Sequence, residues 1–429
     1  MPETVLLTLG RLPKALELAR SLSGAGCRVI VADPFAWHVC RISRSVAKSY
    51  RVAAPNADPA QYTRDLAQII EQERVDIVVP ISEEAIHAMA VRDHVPADVR
   101  FYSPPRDMLM HLHDKLSFAH IARSEQMHVP ATFSLGDPQA VALARRQPVV
   151  IKPTHACAGI GLRMLAAGAP LPSVAETGPA IVQSFVDGRH LSSFSIAEQG
   201  RLLGTVVYQG TVFSGTVAIC FQRVEQPPGM LEQIERLVHR MQFSGFIAFD
   251  FIVDADQRPW VIECNPRLTS GVHFVEHEDL ALAVLDPGRV ETLHFRPERL
   301  FQQFYTVLTE TQKAMFNRRR FVLNLRQLRT AHDVVWRRDD PLPFLLMTPV
   351  CYQMLARTIF RGESFGEAAT RDIAWFGDID EPQPGAEHEP ASTTPKEDPR
   401  RIDRASGSQA TPARSSDRDP IRNDAAPGT

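Results

Sequence analysis

Two apolar segments separated by a short polar turn constrain this chain more than any other feature of its sequence. Residues 246–253 and 260–267 are rich in β-branched and aromatic residues, and the stretch between them has the composition of a turn. This pattern predicts an antiparallel hairpin. Successive side chains alternate between the faces of a strand, so Glu263 and Asn265 share a face. A four-residue loop places Asp250 opposite Glu263 on that face, whereas a slip of one residue turns it away.

Two carboxylates and one amide on a shared face are typical ligands of Mg²⁺. This ion prefers oxygen donors and is usually held by one or two carboxylates together with substrate phosphates. Asp250, Glu263 and Asn265 meet that need, and Mn²⁺ accepts similar donors. Arg267 follows closely and has a planar fork of donors that suits a phosphoryl oxygen. The alternative is a buried hairpin whose acidic residues are merely solvated, since short carboxylate patterns often arise by chance.

Composition, net charge and cysteine spacing argue against several classes of protein. With 44% hydrophobic and 23% charged residues, the 429-residue chain has globular composition and room for two or three domains. A formal net charge of −3 predicts no nucleic-acid partner. The six cysteines show no paired spacing, and the first residues lack the basic and apolar regions of a signal peptide. We therefore expect a cytoplasmic protein with reduced thiols; its oligomeric state is left open.

The first 105 residues alternate between strand and helix patterns, which predicts a parallel sheet covered on both faces. Continuous apolar runs are predicted as strands at 5–9, 27–32 and 75–81. Ligands bind such sheets beyond the carboxyl ends of the strands. The polar residues at that edge are candidate substrate ligands: Gly10, Arg11, Asp33, Ser82, Glu83 and Glu84. Capping is the alternative for Asp33 and Ser82, and the absence of GxGxxG argues against a nicotinamide or flavin site.

A lysine and two glycines follow one another at the end of a further predicted strand. Lys152 ends the strand at 148–153, and Gly159 and Gly161 come soon after it. Glycines let backbone N–H groups approach phosphate oxygens, while a lysine supplies a positive charge. The stretch therefore predicts phosphate binding, with an ordinary glycine turn as the alternative.

Further helices and strands are predicted before and after the glycine-containing stretch at 159–161. A helix is predicted at 108–119 after a proline-rich connector that indicates a domain boundary. His111 and His113 are two apart on this helix and do not face each other, so we interpret them as surface or packing residues. A strand at 180–186 and an antiparallel sheet between 191 and 221 lead towards the hairpin.

In this order, the features resemble those of the ATP-grasp superfamily over most of residues 1–275. The matching features are Asp114-Lys115 at a helix, Lys152, the glycine loop, the strand ending Gln183-Ser184-Phe185-Val186, and Asp250, Glu263 and Asn265-Pro266-Arg267. The resemblance implies an α/β and α+β fold, with a Rossmann-like pre-ATP-grasp substrate domain at 1–105 and an ATP-grasp domain at 106–295. A helical extension at 296–377 and a disordered tail at 378–429 complete the expected organisation.

The resemblance also implies a role for each matching residue. Those expected to bind ATP are Lys115, Lys152, Gly159, Gly161, Gln183, Ser184, Phe185, Val186 and His190. Those expected to hold Mg²⁺ are Asp250, Glu263 and Asn265. Arg267 and Lys152 are the expected catalytic residues at the transferred phosphoryl group. The expected substrate ligands are Gly10, Arg11, Ser82 and Glu83 on one side of the cleft and Thr269 and Ser270 on the other. His190 departs from the family, which commonly has a glutamate for the ribose hydroxyls, and the glycine loop lacks a frequent serine.

Within the superfamily, the chain is similar to the ligases that make mycosporine-glycine. The similarity lies in residues 14–21, 43–50, 262–267 and 340–345. It implies that ATP phosphorylates a carboxylate or enol oxygen of a small-molecule acceptor, after which an amine such as an amino acid attacks and phosphate leaves. Two alternatives stay open: an ordinary amino-acid or peptide ligase, and an ATP-binding regulatory protein without turnover. The second is favoured by His190 and the altered glycine loop.

Two further stretches permit competing interpretations. Residues 273–277 match the H-x-x-E-H pattern of zinc peptidases, but that pattern requires a helix and a further glutamate, and we interpret these residues as acceptor loop or surface. A helical stretch is predicted at 301–328. Residues 342–360 are apolar enough to suggest a membrane-spanning segment, but prolines and polar residues interrupt this stretch. A packing helix is the favoured interpretation, with contact to a membrane surface as the alternative.

Overall fold

Five parallel strands form the first sheet of the computed structural model, which describes residues 3–155, 161–349, 351–352, 356, 360 and 365–375. The strand order is β3-β2-β1-β4-β5, with β1 (Thr4–Leu7), β2 (Arg28–Asp33), β3 (Lys48–Arg51), β4 (Ile77–Val79) and β5 (Arg100–Phe101). The helices of this region are α1 (Pro13–Gly24), α2 (Pro59–Glu73) and α3 (Ala85–Met89). Val5 and Leu7 enter one hydrophobic core and Leu6 enters another, so both faces of the sheet are covered as the apolar strands predict.

The helix predicted at 108–119 is wrong, because two helices occupy this stretch. They are α4 (Arg106–His113) and α5 (Lys115–Ser124). Asp114 between them has an extended backbone, and its carboxylate accepts a hydrogen bond of 2.6 Å from the N–H of Ser117. An aspartate in this position satisfies a donor that the first turn of a helix leaves unpaired. The break places Lys115 at the start of a new helix, where its side chain is buried.

A small antiparallel sheet follows, with the order β6-β9-β7-β8. Its elements are β6 (Thr132–Ser134), α6 (Pro138–Arg146), β7 (Val149–Pro153), β8 (Arg163–Leu165), α7 (Val174–Thr177) and β9 (Ala180–Ser184). Val149, Ile151 and Val182 pack together with Ala140 and Ala144 of α6. The central strand β7 ends with Lys152 and Pro153, as the sequence predicts. Gly159 and the rest of residues 156–160 lie outside the described residues.

The largest sheet has seven strands in the order β14-β13-β10-β11-β12-β15-β16. Its strands are β10 (Arg189–Glu198), β11 (Arg201–Ser214), β12 (Val217–Arg223), β13 (Gly245–Val253), β14 (Pro259–Asn265), β15 (Leu300–Gln302) and β16 (His332–Asp333). The helices in this part of the chain are α8 (Met230–Arg240), α9 (His277–Leu285), α10 (Phe304–Lys313) and α11 (Arg318–Thr330). Phe249 and Phe251 of β13 share a core with Phe118 of α5 and Ile234 of α8. Asp250, between the two phenylalanines, therefore points to the opposite face.

The predicted hairpin is present, but its loop differs from the expected one. Next to the turn, Val253 pairs with Pro259 and Phe251 pairs with Val261, a register that would bring Ile262 opposite Asp250. A β-bulge shifts the register by one residue, so that Asp250 pairs with Glu263. The predicted pairing of the two carboxylates is therefore observed, although a bulge produces it and not the length of the loop.

The region after residue 295 is less helical than predicted. Phe301 and Gln302 belong to strand β15, and the helices α10 and α11 occupy most of the remaining stretch at 301–328. Two short helices, α12 (Leu342–Leu345) and α13 (Phe365–Thr370), follow. Among the described residues, no helix is long and apolar enough to cross a membrane. Part of 342–360 and the predicted tail at 378–429 lie outside the described residues, and the predicted domain boundaries stay predictions.

Residues 273–277 do not form the helix that the zinc-peptidase pattern requires. His273 lies in a 3₁₀ turn (Ser270–Phe274), and His277 is the first residue of α9. Both rings contact the buried carboxylate of Glu17 on α1, at 2.6 Å from Nδ1 of His273 and 3.4 Å from Nε2 of His277. Arg296 also donates to Glu17. Both histidines thus take part in packing α1 against α9. A surface position is wrong for the buried His273, which nevertheless lines one cleft together with Thr269 and Ser270.

The environment of His277 predicts that stability falls in mild acid. Burial, with the charges of Arg296 and Arg337, outweighs Glu17 and lowers the pKa of His277 to about 4. In the unfolded chain the pKa of histidine is about 6.5, so the unfolded state binds the proton first as the pH falls. We expect His277 alone to account for roughly 2 kcal/mol of the drop in the free energy of unfolding between about pH 7 and about pH 5 in urea titrations. The drop should be smaller by about that amount in His277→Gln, in which His38 and His113 still titrate with lowered pKa values, and an equal drop in the variant would contradict the assignment.

Candidate functional site

One cleft of ≈ 630 Å³ brings together most of the residues that the sequence singles out. Its walls come from the large sheet, the small sheet, the carboxyl edge of the parallel sheet and the C-terminal region. The predicted site residues that line it are Arg11, Ser82, Glu83, Lys115, Lys152, Gln183, Ser184, Phe185, Val186, His190, Asp250, Glu263, Asn265, Arg267, Thr269 and Ser270. Gly10 and Gly161 do not line it, and Gly159 lies outside the described residues.

The three predicted metal ligands lie next to one another on strands β13 and β14. Asp250 pairs directly with Glu263, and Nδ2 of Asn265 donates to Oδ2 of Asp250 at 3.1 Å. Ser192 on β10 donates to the other oxygen of Asp250 at 2.6 Å. These contacts hold two carboxylates and an amide within one small patch of the cleft.

The charge of this patch fits a divalent cation. Burial raises the pKa of Asp250, and the adjacent charge of Glu263 raises it further, against the opposing effect of His190. Two neighbouring carboxylates that repel each other in this way are stabilised by a cation between them. Oxygen donors of this kind and number suit Mg²⁺ that completes its coordination with water and phosphate. Asp250, Glu263 and Asn265 therefore fit the ion that the sequence analysis expects.

Two buried lysines face the acidic patch. Nζ of Lys115 lies 3.8 Å from Oε1 of Glu263, and Nζ of Lys152 donates to Oε1 of Gln183 at 2.8 Å. Burial lowers the pKa of Lys152 to about 8, and Lys115 adds to that effect while Glu263 and Asp250 oppose it. An ammonium group that loses hydration in this way gains from a nearby anion, which suits a phosphate site.

Arg267 joins the hairpin to the parallel sheet. Its Nη2 donates to the carboxylate of Glu83 and, at 2.8 Å, to Oδ1 of Asn265. Burial alone would raise the pKa of Glu83, but the charges of Arg267, His113 and Lys14 outweigh it and hold the pKa at about 2. Glu83 is therefore an anion that orients the guanidinium. The prediction that Glu83 binds substrate directly stays open, because its carboxylate already accepts from Arg267.

Arg11 does not offer its donors to the cleft. Its guanidinium makes ion pairs of 2.8 Å with Asp33 and with Asp372, and it stacks 3.5 Å above the ring of Phe35. Asp33 also accepts from the N–H groups of Gly10 and Arg11. Gly10, Arg11 and Asp33 thus shape the edge of the parallel sheet through contacts within the protein, a correction to the direct substrate contact expected of Arg11.

Lys14 occupies the position that Arg11 was expected to take. It lines the cleft, and its Nζ donates to Ser82 Oγ at 3.0 Å and to the carbonyl of Leu268 at 2.7 Å. Across the cleft, Tyr208 donates from its hydroxyl to Thr269 at 3.3 Å. Ser82, Thr269 and Ser270 therefore lie where the sequence analysis places the acceptor.

The strand end predicted to hold adenine also borders the cleft. Gln183 is buried between Lys152 and Thr132, whereas Phe185 is partly exposed just beyond β9. His190 is about half exposed, and its Nε2 lies 3.9 Å from Oδ1 of Asp250. His190 is therefore close to Asp250, one of the predicted metal ligands, and the nucleotide role predicted for it stays a prediction.

Some cleft residues were not found from the sequence. Ser192 and Tyr208 lie in one row with Asp250, since Ser192 pairs with Asp250 on one side and with Tyr208 on the other. His113, interpreted as a surface or packing residue, does not line the cleft, but it is buried with Nδ1 3.9 Å from Glu83, which does. Only the pairing of strands and helices distant in sequence reveals these neighbours. No local pattern around them signals a site.

Comparison with known proteins identifies the central region. Residues 112–271 match the family model described as ATP-grasp domain. A D-alanine–D-alanine ligase of Bordetella avium is 27% identical over 145 residues, which cover 29% of this chain and 45% of that ligase. The chain thus spans less than half the length of this curated relative.

Solved structures show the same fold at low identity. N5-carboxyaminoimidazole synthetase from Staphylococcus aureus is 14% identical with a TM-score of 0.54, covering 69% of this chain and 81% of that one. L-amino acid ligase from Bacillus licheniformis is also 14% identical with a TM-score of 0.54, covering 70% and 79%. Residues 112–271 thus match an ATP-grasp domain, and the solved structures show the fold. The predicted fold class, a Rossmann-like region followed by an ATP-grasp fold, is confirmed.

Proposed function

We propose that this protein is an ATP- and Mg²⁺-dependent ligase that activates a carboxylate or enol oxygen of a small molecule and couples it to an amine. One observation carries the proposal: two buried lysines, an arginine and a set of three oxygen ligands meet in a single cleft. The match of residues 112–271 to the ATP-grasp family supports it. The similarity to a D-alanine–D-alanine ligase supports it as well, and we propose that the bond formed is a C–N bond and that ADP is released.

The proposed reaction has two steps. An acceptor oxygen attacks the γ-phosphorus of ATP, the bond to the β–γ bridging oxygen breaks, and ADP leaves. The nitrogen of the amine then attacks the activated carbon, the C–O bond to phosphate breaks, and the amine loses a proton as phosphate departs. No covalent enzyme nucleophile is required, so the protein contributes positioning and electrostatic stabilisation.

Each charged residue of the cleft has a role in that scheme. Lys115 and Lys152 would neutralise phosphate oxygens, and Arg267 would hold the transferred phosphoryl group in an orientation that Glu83 fixes. Asp250, Glu263 and Asn265 would hold Mg²⁺, which when bound would offset charge on the β- and γ-phosphates. Low exposure of the lysines strengthens these interactions, because less water screens them.

The acceptor is proposed to lie between Lys14 and Ser82 on one side and Thr269 and Ser270 on the other. The resemblance to ligases that make mycosporine-glycine favours a small cyclic enolone as the acceptor. An amino-acid or peptide ligase is the second candidate, favoured by the similarity to D-alanine–D-alanine ligase. The third candidate is a regulatory protein that binds ATP without turnover. The position of His190 beside Asp250 does not specifically support this third candidate.

The test is ATP-dependent release of phosphate by the purified protein with Mg²⁺, screened against pairs of amines and acceptors. Cyclic enolones and carboxylates are each paired with single amino acids, and product formation is followed by mass spectrometry. We expect phosphate release that requires one specific pair and yields a product joined by a C–N bond. Nucleotide binding without turnover for any pair would favour the regulatory candidate, and absence of nucleotide binding would overturn the proposal.

A further inference from the structure

The C-terminal region returns to the parallel sheet after forming one wall of the cleft. The returning segment, residues 368–375, is here called the C-terminal strap. Asp372 makes a 2.8 Å ion pair with Arg11, and Asn56 donates to the carbonyl of Arg371 at 2.9 Å and to that of Asp372 at 3.2 Å. Ala368 and Ala369 pack on Phe35. The strap is thus attached by an ion pair, backbone hydrogen bonds and apolar packing.

Trp375, at the end of the strap, packs against the rings of His113 and His155. Only 9% of Trp375 is exposed, and it belongs to a hydrophobic core of the parallel-sheet region. Its ring lies edge-to-face on His155 at 4.8 Å between centroids, and 6.2 Å from the ring of His113. The tryptophan therefore covers one side of His155.

His155 is in turn fixed to the break between α4 and α5. Its Nε2 lies 3.6 Å from Oδ2 of Asp114, and its carbonyl accepts from Nε2 of His113 at 3.2 Å. The neighbouring carbonyl of Thr154 accepts from the N–H of Lys115 at 3.4 Å. Residues 113–115 and 154–155 thus form one hydrogen-bonded unit, and Trp375 packs against it.

We propose that Trp375 is a positioning residue for phosphate binding: by packing on His155 it holds the His155–Asp114 pair and, through that pair, the ammonium of Lys115 facing Glu263. The inference rests on the proposed function insofar as Lys115 contacts nucleotide phosphate. Trp375 itself lies outside residues 112–271, which match the family model. The proposed positioning role therefore belongs to the C-terminal region of this chain.

The physical reason is that Lys115 must be held in place for its charge to contribute fully. Its side chain is long and buried, and Nζ lies 3.8 Å from Glu263, so its position depends on where α5 begins. Asp114 caps α5 and contacts His155. Removing the indole opens a space beside His155, which permits the pair and the start of α5 to shift away from the phosphates.

The experiment measures the Kd of MgADP by calorimetry, well below the unfolding midpoint of each variant. Trp375→Ala should raise the Kd about tenfold, which corresponds to about 1.4 kcal/mol. Trp375→Phe keeps a ring against His155 and should remain within about twofold of the wild type. Trp336→Ala removes a tryptophan of the same C-terminal region that packs on Phe344, and it should leave the Kd unchanged.

A double-mutant cycle separates positioning from general loosening. If Trp375 acts through Lys115, Trp375→Ala should raise the Kd less than about twofold in a Lys115→Met background. A tenfold penalty in both backgrounds, or a Trp375→Ala variant that binds MgADP like the wild type, would overturn the inference while leaving the proposed function intact. Wild-type protein that binds no MgADP would overturn both.

Discussion

Replacing Glu263 with glutamine should lower ATP-dependent turnover by about a thousandfold while the protein remains folded. Glutamine retains the shape of the side chain but removes one of the two negative charges, those of Asp250 and Glu263, that are proposed to hold Mg²⁺. It also removes the anionic partner that lies 3.8 Å from Lys115. Phosphate release with the substrate pair from the screen gives the turnover, and calorimetry with MgADP gives the nucleotide affinity, which should fall as well.

Asp256→Asn is the matched control for Glu263→Gln. Asp256 lies in the turn of the same hairpin, its side chain is 72% exposed, and it pairs with Arg258 at the surface. Its loss should leave turnover within about twofold of the wild type, because surface ion pairs contribute little. Turnover of Glu263→Gln within tenfold of the wild type would show that Glu263 does not hold the metal.

Arg267→Ala should reduce the free energy of unfolding by about 3–5 kcal/mol in addition to abolishing turnover. The reason is Glu83, whose side chain is 4% exposed and whose pKa of about 2 keeps it charged at neutral pH. Without Arg267, this buried anion loses its ion-pair partner, and His113 does not replace it at neutral pH because burial lowers the pKa of His113 below its usual value. Urea unfolding at neutral pH measures the loss of stability.

The double variant Glu83→Gln/Arg267→Ala separates the two roles of the arginine. Removing the buried charge should restore at least about 2 kcal/mol of stability relative to Arg267→Ala, yet turnover should stay abolished because the phosphoryl group still lacks its guanidinium. Arg258→Ala, which removes a half-exposed arginine from the hairpin turn, should cost less than about 1 kcal/mol. If the double variant is no more stable than Arg267→Ala, Glu83 is not held as an anion by this pair.

Much of the site was predictable because its information is local. The alternation of side chains along a strand places Glu263 and Asn265 on one face in any regular strand, and Phe249 and Phe251 indicate which face is buried. Continuous apolar runs likewise predict the parallel sheet, because a strand buried on both faces has no polar side. The order of these elements carried the resemblance to ATP-grasp proteins, which the match at 112–271 confirms.

Predictions from local sequence patterns were wrong where the same residues suit more than one structural environment. Arg11 stands at the edge where ligands bind, but Asp33 and Asp372 take up its guanidinium, and Asp372 is 361 residues away in sequence. The helix predicted at 108–119 has continuous helical periodicity, yet Asp114 ends one helix and caps the next. Periodicity does not distinguish one helix from two when the break falls at a polar position that either arrangement tolerates.

By itself, then, the sequence determined the parallel strands, the hairpin and the shared face of the predicted metal ligands, because each follows from spacing along a short stretch, and the order of these elements indicated the class of domain. Only the tertiary structure decided the bulge that brings Glu263 opposite Asp250, the pairing of Glu83 with Arg267 and the packing of Trp375 on His155. Such contacts join residues far apart in the chain. Their free energy depends on burial and on partners that exist only once the sheets and the C-terminal strap have packed together.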